Sequence, residues 1–540
     1  MQHEDIHHVE LLELNGNQSQ TREVTLDSML VNLGRPGLYH LINTFILKWI
    51  LFFVCTQFVV VSSSIGITPR NFRCQSSLEN HTELAITLNT SAEKINFGNC
   101  HVTVKGNVSK ELPCDSWTYM FTKEEGEIDS IVTKWDLVCD KKFLPQLSTS
   151  LFFVGVMIGT SLLHHLPDKH GRRPTLLLFL LLSITVSAGT ALVDNLILFL
   201  VLRFTLGVLI CVAHTTANIC AVELYPTKYN DTIGTILSSL YIVDILFGNT
   251  IAWLMRSWWK TQLIFAVPTF IPLIVAYFFL PESLRWLIIH DRQEDVKRHL
   301  QNAARINGVT LGDLPTIRGN SLLPGNDTSN KRIPFRRILS YKEMRKRLFA
   351  GIFLWIGLAL SFYGLAFNVK NLSRNPYLSL VISSAVDTAP IATTILFMKR
   401  LGKRRLVVIY SFIGGVFSII YKFYNHLAIM MVGKMFCAIS FTVIYFYTMD
   451  IFPTEFRTRC FGACIMTGRL GSLLAPQLVA VGTYTSADIP VLVSGIFLFS
   501  GAFILYFFLP ETSNIPTPDK VEDVENYKQI KKDRKMLVDT

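Results

Sequence analysis

The feature that most restricts the fold of this 540-residue chain is its set of apolar blocks, each long enough to cross or nearly cross a membrane. A helix needs about 20 apolar residues to span the hydrocarbon core. Backbone groups inside lipid must be paired within the protein, so only helices and closed barrels can cross it. The blocks therefore predict an all-α membrane protein with twelve transmembrane helices. The predicted helices cover residues 45–66, 146–166, 174–193, 195–220, 233–254, 261–280, 348–368, 376–398, 406–424, 427–449, 459–483 and 489–509.

The net charge of +11 raises the question of nucleic-acid binding, but the placement of the basic residues favours membrane topology. "DKHGRR" (168–173), "KRLGKRR" (399–405) and the basic loop 281–347 fall on the same side of a twelve-helix arrangement. The positive-inside rule makes that side cytoplasmic, with both termini there. Residues 1–44 are too long and too polar for a cleavable signal peptide. We therefore expect a lipid bilayer as partner and no nucleic acid.

The polar insert 69–143, between the first two blocks, has the composition of an extracellular cap. It contains four cysteines and three Asn-X-Ser/Thr patterns, which indicate disulfide bonds and glycosylation on the oxidising side of a membrane. Four cysteines allow three pairings, and the sequence does not choose among them. The residues concerned are Cys74, Cys100, Cys114 and Cys139, and the glycosylation acceptors Asn80, Asn89 and Asn107.

Landmarks of the first part of the chain return in the same order in the second part, about 230 residues later. They are Gly171 and Gly402, Arg203 and Lys434, "ELYPTKY" (223–229) and "DIFPTEF" (450–456), and "LPES" (280–283) and "LPET" (509–512). The repeat predicts two six-helix halves, and transporters built in this way bind substrate between the halves. The predicted organisation is a cytoplasmic N-terminal segment 1–44, a first half 45–280 that includes the loop 69–143, a cytoplasmic linker 281–347, a second half 348–510 and a cytoplasmic tail 511–540.

Several motifs together identify a family resemblance over nearly the whole chain. The layout resembles the major facilitator superfamily, and "DKHGRR" is similar to its motif between helices 2 and 3, although His164 stands where a glycine is usual. "KWDLVCD" (134–140), "ELYPT" (223–227) and "PESLRWL" (281–287) resemble signatures of the organic cation/anion/zwitterion transporters, solute carrier family 22. The resemblance implies a polyspecific organic-ion transporter of the plasma membrane that works by alternating access.

Charged residues of the motifs are expected to control the movement or to support the framework. The elbow formed by Asp168, Arg172 and Arg173 can pair with helix ends in one conformation and release them in another. Simple anchoring by positive charge on the cytoplasmic side is the alternative explanation. Glu223 belongs to the same group of motif residues, and the repeat-related pair Arg203 and Lys434 resembles superfamily framework positions. The interpretation of these residues is therefore gating or structural.

Aromatic residues on three predicted helices resemble pocket positions of the family. Aromatic rings suit bulky, flat organic ions because they offer apolar area and attract cations over their faces. Core packing or lipid contact is the alternative for such stripes. His214 lies on a polar stripe of the fourth helix and is either a substrate contact or a hydrogen-bonded packing residue. The predicted pocket residues are Trp355, Phe362, Tyr363, Phe441, Tyr445, Tyr241 and His214.

Arg469 lies within an apolar block, 16 residues beyond Pro453, and is followed by "GSLLAP" (471–476). The family resemblance implies that an aspartate at this position goes with cation transport and an arginine with anion transport. A guanidinium can hold a carboxylate through two parallel hydrogen bonds. Arg469 therefore predicts that organic anions are preferred.

Two observations keep a second specificity open, an organic cation or a carnitine-like zwitterion. The anion-carrying relatives tend to have a lysine in helix 8, whereas the corresponding position here is Ile391. Asp244 and Asp387 add two acids to the predicted spans. Asp387 is expected to pair with a nearby cation. Asp244 either pairs with Arg469 or Arg203 or attracts a positively charged substrate.

Enzyme activity finds no support in the sequence, which lacks a Gly-rich phosphate loop, a paired-cysteine metal motif and a nucleophile elbow. We expect no cofactor and no metal, and small organic ions as substrates. A membrane receptor that binds its ligand without moving it is the alternative from another functional class. The sequence does not predict an oligomeric state.

Overall fold

The computed structural model describes residues 36–75, 95–104, 110–114, 116–123, 126–309, 335–512, 518 and 521–525. Within this part of the chain, eleven helices are long and apolar enough to cross a membrane. The predicted acceptors Asn80, Asn89 and Asn107 lie outside the described residues. The mostly helical architecture confirms the predicted fold class, and it departs from the prediction only in how two of the twelve spans are built.

Each predicted block corresponds to one span, which we number α1 to α12. The ten continuous spans are α1 (Leu38–Ser64), α2 (Leu144–Leu162), α3 (Arg172–Leu192), α4 (Leu196–Glu223), α5 (Asn230–Met255), α7 (Lys342–Leu372), α9 (Lys403–Tyr424), α10 (Leu427–Ile451), α11 (Arg457–Tyr484) and α12 (Ile489–Phe508). Span α6 consists of Trp258–Ala266 and Phe270–Phe279, joined by the turn Val267–Thr269. Span α8 consists of Pro376–Val386 and Ala389–Leu401.

The continuous helix predicted over 376–398 is wrong at one point, because α8 is interrupted at Asp387 and Thr388. Pro390 has no N–H group and its ring collides with the carbonyl of the residue four positions earlier, Val386. The first segment therefore ends at Val386. The interruption places Asp387 at the end of a helix, inside the bundle.

The segment between α1 and α2 forms two small antiparallel sheets at one end of the bundle, which we call the loop end. Strands β1 (Asn71–Gln75) and β5 (Ser116–Met120) pair with each other, and β3 (His101–Val104) pairs with β2 (Ile95–Phe97) and β4 (Lys110–Pro113). Disulfides join Cys74 to Cys114 and Cys100 to Cys139. The predicted disulfides are thus confirmed, and one of the three pairings is selected.

Each half of the bundle packs around its own apolar core and contains one very close helix contact. A Cβ atom on Gly207 of α4 would lie 2.1 Å from the carbonyl oxygen of Phe152 in α2. A Cβ atom on Gly471 of α11 would lie 2.3 Å from the carbonyl oxygen of Ile356 in α7. Only glycine permits this approach. The second contact fixes α11 against α7 at the depth of Arg469.

The opposite end of the bundle, which we call the linker end, carries helices that follow each half. Leu284–Ile289 and Gln293–Asn307 follow the first half, and Asn307 accepts a hydrogen bond from the backbone N–H of Tyr39, 2.9 Å away, at the start of α1. Val521–Glu525 follows the second half, and Glu525 accepts one from the N–H of Glu343, 2.8 Å away, at the start of α7. Both side chains satisfy N–H groups that have no partner within their helix.

Candidate substrate site

The site is built around Arg469, which lies between the two halves. Its guanidinium interacts electrostatically with Tyr363 and Tyr445 of the second half and with Tyr241 and Cys211 of the first. The side chain is half-buried although protein groups from both halves surround it. Arg469 therefore lies where the two halves face each other, and protein does not cover it completely; we call this region the internal space.

Five rings of the second half form one contact network beside Arg469, which we call the aromatic cage: Trp355, Phe362, Tyr363, Phe441 and Tyr445. Phe362 and Phe441 stack with ring centroids 4.9 Å apart, and Tyr445 meets Trp355 edge-on at 4.6 Å. Tyr363 contacts Phe441 at 6.3 Å. The residues singled out on the predicted seventh and tenth helices thus lie together. Phe362, Phe441 and Tyr445 remain partly exposed, so part of each ring can contact a ligand.

Trp355 fixes the cage to the helix that carries Arg469. Its ring lies so close to α11 that a Cβ atom on Gly468 would be 2.9 Å from it. Its indole N–H donates to the hydroxyl of Thr448 on α10 at 3.0 Å. Buried Trp side chains usually need such a partner for their polar atom. The glycine and the hydrogen bond together hold α7, α10 and α11 in register around the cage.

Arg469 forms no ion pair within the described part of the chain, and its Nε atom is buried without a hydrogen-bond partner. A guanidinium away from water gains most from a carboxylate that accepts two of its N–H groups. Leaving a buried polar group unsatisfied costs free energy. The arrangement can therefore bind an anion that supplies the missing acceptor atoms.

Asp244 has a different partner from the two that the sequence suggested. It forms an ion pair with Lys48 of α1, and neither Arg469 nor Arg203 is involved. The side chain of Asp244 is 7% exposed and that of Lys48 is 17% exposed, so the pair lies at the edge of the internal space. The sequence interpretation missed Lys48, although a lysine near the start of the first apolar block, 45–66, was a signal for it.

His214 lies between these two charged groups. It interacts electrostatically with both Arg469 and Lys48, and its side chain is half-buried. Asn218, one turn later in α4, donates to the backbone carbonyl of His214 at 2.8 Å and lies 3.4 Å from its Nε2 atom. Tyr241 of α5 is also half-buried, and it interacts electrostatically with Tyr363 and Tyr445. These two residues extend the site onto the first half.

Arg203 and Lys434 are fully buried, and the ammonium group of Lys434 lies 5.9 Å from the ring centroid of Phe362 in the aromatic cage. Lys434 pairs with Asp387 at 2.5 Å and donates to the carbonyl of Ser383 at 3.1 Å, near the end of the first segment of α8. Arg203 donates to the hydroxyl of Ser62 at 3.1 Å and lies 4.7 Å from the ring centroid of Phe152. Both contact sets join neighbouring helices within one half.

The charged elbow between α2 and α3 is paired inside the first half. Arg172 contacts Asp168 at 2.9 Å and Glu223 at 3.2 Å. Glu282 accepts hydrogen bonds from the backbone N–H groups of Arg172 and Arg173, at 2.9 Å and 3.1 Å, at the N-terminus of α3. A carboxylate is favourable at that helix end. Glu282 belongs to the quoted "PESLRWL" motif, but sequence reasoning gave it no role.

The corresponding elbow of the second half, between α8 and α9, is also held by ion pairs within its own half. Lys403 pairs with Asp450 at 2.6 Å and Arg405 with Glu511 at 3.8 Å. The side chains of Lys399 and Ile391 lie outside the described part of the structure. Within that part, every ion pair between spans joins residues of the same half.

Contacts between the halves gather toward the loop end. Gln477 of α11 donates to the hydroxyl of Ser150 in α2 at 2.9 Å, and that hydroxyl donates to the carbonyl of Leu473 at 3.1 Å. Phe153 packs edge-on against Tyr363 with ring centroids 5.3 Å apart. The internal space is therefore closed toward the loop end.

Comparison with known proteins gives the same architecture. The chain is 29% identical to "Solute carrier family 22 member 6-A" of Xenopus laevis over 78% of this chain and 76% of that protein. It is 28% identical to "Organic anion transporter 3" of Pongo abelii and 26% identical to "Organic cation transporter protein" of Drosophila melanogaster, each over 77% of both chains. The inward open xylose transporter XylE from E. coli superposes with a TM-score of 0.57 at 14% identity, over 90% of this chain and 99% of XylE, which shows the fold alone.

A family described as "Sugar (and other) transporter" matches residues 97–520, which is most of the chain. The match begins after Cys74 and covers the rest of the insert with the Cys100–Cys139 disulfide, both elbows, the aromatic cage and Arg469. Together with the twelve-span architecture and the predicted resemblance, it excludes the enzyme classes considered above. The chain is a multi-pass membrane protein of the sugar (and other) transporter family, within the major facilitator superfamily.

Proposed function

We propose that this protein is a polyspecific organic-ion transporter of the plasma membrane that prefers organic anions. It works by alternating access, through facilitated diffusion or through exchange against an intracellular anion. The loop end is extracellular and the linker end is cytoplasmic, as are the segments 1–44 and 511–540. The curated relatives named for organic-anion and organic-cation transport support the substrate class.

The observation that carries the anion preference is the state of Arg469. It lies in the internal space between the halves and has no carboxylate partner in the described chain, whereas Lys48 and Lys434 each have one. Buried charges in membrane proteins are almost always matched. An organic anion supplies the match when it binds, and the free energy of that pairing selects anions over cations.

The aromatic cage supplies affinity for the organic part of the substrate. A flat ring can lie against the exposed parts of Phe441 and Tyr445 while its carboxylate reaches Arg469. Ring contacts depend on area and orientation more than on particular polar groups. The cage therefore accepts substrates of different shapes, provided that they carry a negative charge.

Alternating access follows from the way the charges are paired. Ion pairs between spans stay within one half, so each half can move as a unit without breaking them. Apart from the 3.9 Å contact between Ser161 and the sulfur of Met466, the polar and ring contacts described between the halves lie toward the loop end, and their separation opens the site to that side. Substrate binding lowers the barrier because it neutralises Arg469, which both halves contact electrostatically.

A cation or carnitine-like zwitterion transporter is the second candidate. Asp244 and the relative named as an organic cation transporter favour it. Lys48 already neutralises Asp244, which leaves the site with an excess of positive charge. A non-transporting receptor is the remaining alternative, and it is separated from both by measurement of flux.

The test is uptake of a labelled aromatic carboxylate and of a labelled quaternary ammonium compound by cells that express the protein. We expect carboxylate uptake that Arg469→Gln abolishes at normal surface expression. Arg457→Gln is the matched variant, because Arg457 lies at the start of the same helix and donates to Thr454 outside the site. Uptake of the ammonium compound alone would replace the anion assignment with the cation one, and binding without uptake would indicate a receptor.

A further inference from the structure

Two lysines at the loop end join the halves in a reciprocal way. Lys142, just before α2, donates to the backbone carbonyl of Thr483 in the last turn of α11, at 2.9 Å. Lys370, in the last turn of α7, donates to the backbone carbonyl of Ser63 in the last turn of α1, at 3.0 Å. Each half therefore holds the C-terminal turn of a helix that belongs to the other half.

The end of a helix is a suitable acceptor for an ammonium group. Its last four carbonyls have no partner within the helix and carry partial negative charge. Lys142 also lies 4.0 Å from the ring centroid of Tyr484, beside the same helix end. Lys370 is buried, with 6% of its surface exposed. Both ammonium groups thus close the seam between the halves.

Neither lysine has a carboxylate partner in the described part of the chain, and this distinguishes both from lysines with similar backbone contacts. Lys134 donates to the carbonyl of Val193 at 2.6 Å within the first half, and it also pairs with Asp194 at 2.9 Å. Lys434 combines the carbonyl of Ser383 with Asp387. A contact to a carbonyl alone is weaker than one to a carboxylate, so water or an anion can replace it.

We infer that Lys142 and Lys370 form an extracellular latch that becomes the first binding site for organic anions when it opens. In the closed state the two ammonium groups hold helix ends of the opposite half. When the halves part, both groups line the opening, where unneutralised positive charge attracts carboxylates and sulfonates toward Arg469. The orientation and the class of ion rest on the proposed function.

The test uses Ser150→Cys as a reporter of opening. Ser150 is 5% exposed and lies in the contact between α2 and α11, so its replacement is protected from outside reagents while the halves touch. The rate of modification is measured on intact cells with two membrane-impermeant methanethiosulfonates, one carrying a sulfonate and one a quaternary ammonium group. The protein without Ser150→Cys corrects for modification of its own cysteines.

We expect Lys142→Gln with Lys370→Gln to raise the modification rate for both reagents by about tenfold, because two charged hydrogen bonds are lost from the closed state. The same change should lower the ratio of the sulfonate rate to the ammonium rate several-fold. Lys134→Gln should alter neither quantity, since its contacts stay within one half. Lys370→Arg keeps the charge and should keep the ratio.

An unchanged rate for both reagents would overturn the latch, and an unchanged ratio would overturn the anion site. If the double variant fails to reach the surface, each single Lys→Gln variant gives the same two quantities. Modification needs no transported substrate, so its result is separate from the uptake test on Arg469. If the uptake test showed that the protein does not transport anions, a latch detected by cysteine modification would still stand.

Discussion

The internal space carries fixed charge on two walls that differ in how the charge is balanced. On the wall formed by the first half, Lys48 and Asp244 neutralise each other across α1 and α5. On the wall formed by the second half, Arg469 lies beside the aromatic cage and has no ion pair among the described residues. A matched pair inside a membrane protein maintains the structure, whereas an unmatched charge is available to a ligand. Specificity should therefore depend on the second wall and stability on the first.

The largest effect is expected from reversal of the unmatched charge. Arg469→Asp should abolish anion uptake, because loss of a desolvated charge partner costs about 2–5 kcal/mol, at least about 30-fold in affinity. Arg469→Lys keeps the charge but loses the planar fork, so we expect about fivefold weaker affinity for carboxylates. Concentration dependence of uptake measures both. If Arg469→Asp still takes up anions, specificity does not depend on the unmatched charge of the second wall.

The matched pair should give a smaller effect on transport and a large one on stability. Asp244→Asn leaves Lys48 alone in the bundle and should destabilise the protein by about 3–5 kcal/mol. Lys48→Met combined with Asp244→Leu removes both charges and should restore thermal stability of the purified protein together with anion uptake. Asp244→Asn combined with Arg469→Gln should restore neither. Recovery in that second combination would identify Arg469 as the partner of Asp244.

The aromatic cage should give a graded loss. Phe441→Ala or Tyr363→Ala removes ring contacts worth about 0.5–1.5 kcal/mol, so apparent affinity for bulky aromatic anions should fall by up to about tenfold. Phe499→Ala removes a ring of the same half that contacts Phe412 and Phe503, and it should leave affinity unchanged. Uptake kinetics at equal surface expression compare the three. Equal losses in all of them would indicate packing rather than substrate contact.

The smallest effect is expected from a matched pair that water reaches. Lys422 and Asp488 are 2.7 Å apart, and the lysine is 40% exposed. The hydrogen bond from Lys422 lowers the pKa of Asp488 below its ordinary value. The pair therefore stabilises the fold above the ordinary pKa of about 3.9, and its contribution disappears as pH falls through the lowered value.

Lys422→Gln should accordingly cost no more than about 1 kcal/mol at pH 7, and the difference from the parent protein should shrink below pH 4. Thermal unfolding in detergent over a pH series measures it. A loss as large as that of Asp244→Asn would contradict the ranking of buried above exposed pairs.

Much of the fold could be predicted, because hydrocarbon thickness imposes a helix length that the apolar blocks display directly. Pro390 could have predicted the interruption of α8, but the prediction of a continuous helix relied on the apolar composition of 376–398. The partner of Asp244 was not readable. A helical period assigns Lys48 and Asp244 to faces of α1 and α5, but it does not determine which faces meet across 196 residues of sequence. Disulfide pairing needed coordinates for the same reason.

The candidate site could likewise be predicted only in the part that does not depend on how helices pack against each other. Spacing placed Phe441 and Tyr445 on one stripe, and the family resemblance selected Arg469. That Trp355 packs on Gly468, and that Arg469 lacks a carboxylate in the described chain, depends on the approach of α7 and α11. Whether a charged residue has a partner depends on which side chains surround it in space, and a single sequence does not determine those neighbours.

The caps at the linker end have a consequence for the order in which the protein is completed during synthesis. Asn307 caps the start of α1, and it lies 28 residues after Phe279, where the last span of its own half ends. Glu525 caps the start of α7, and it follows Phe508, where the last span of the second half ends. The first half thus has its cap before any span of the second half has been made. The cap of α7 is complete only after residue 525 has been made, which is later than every span, so a premature stop a few codons before 525 keeps the cap of α1 and removes that of α7.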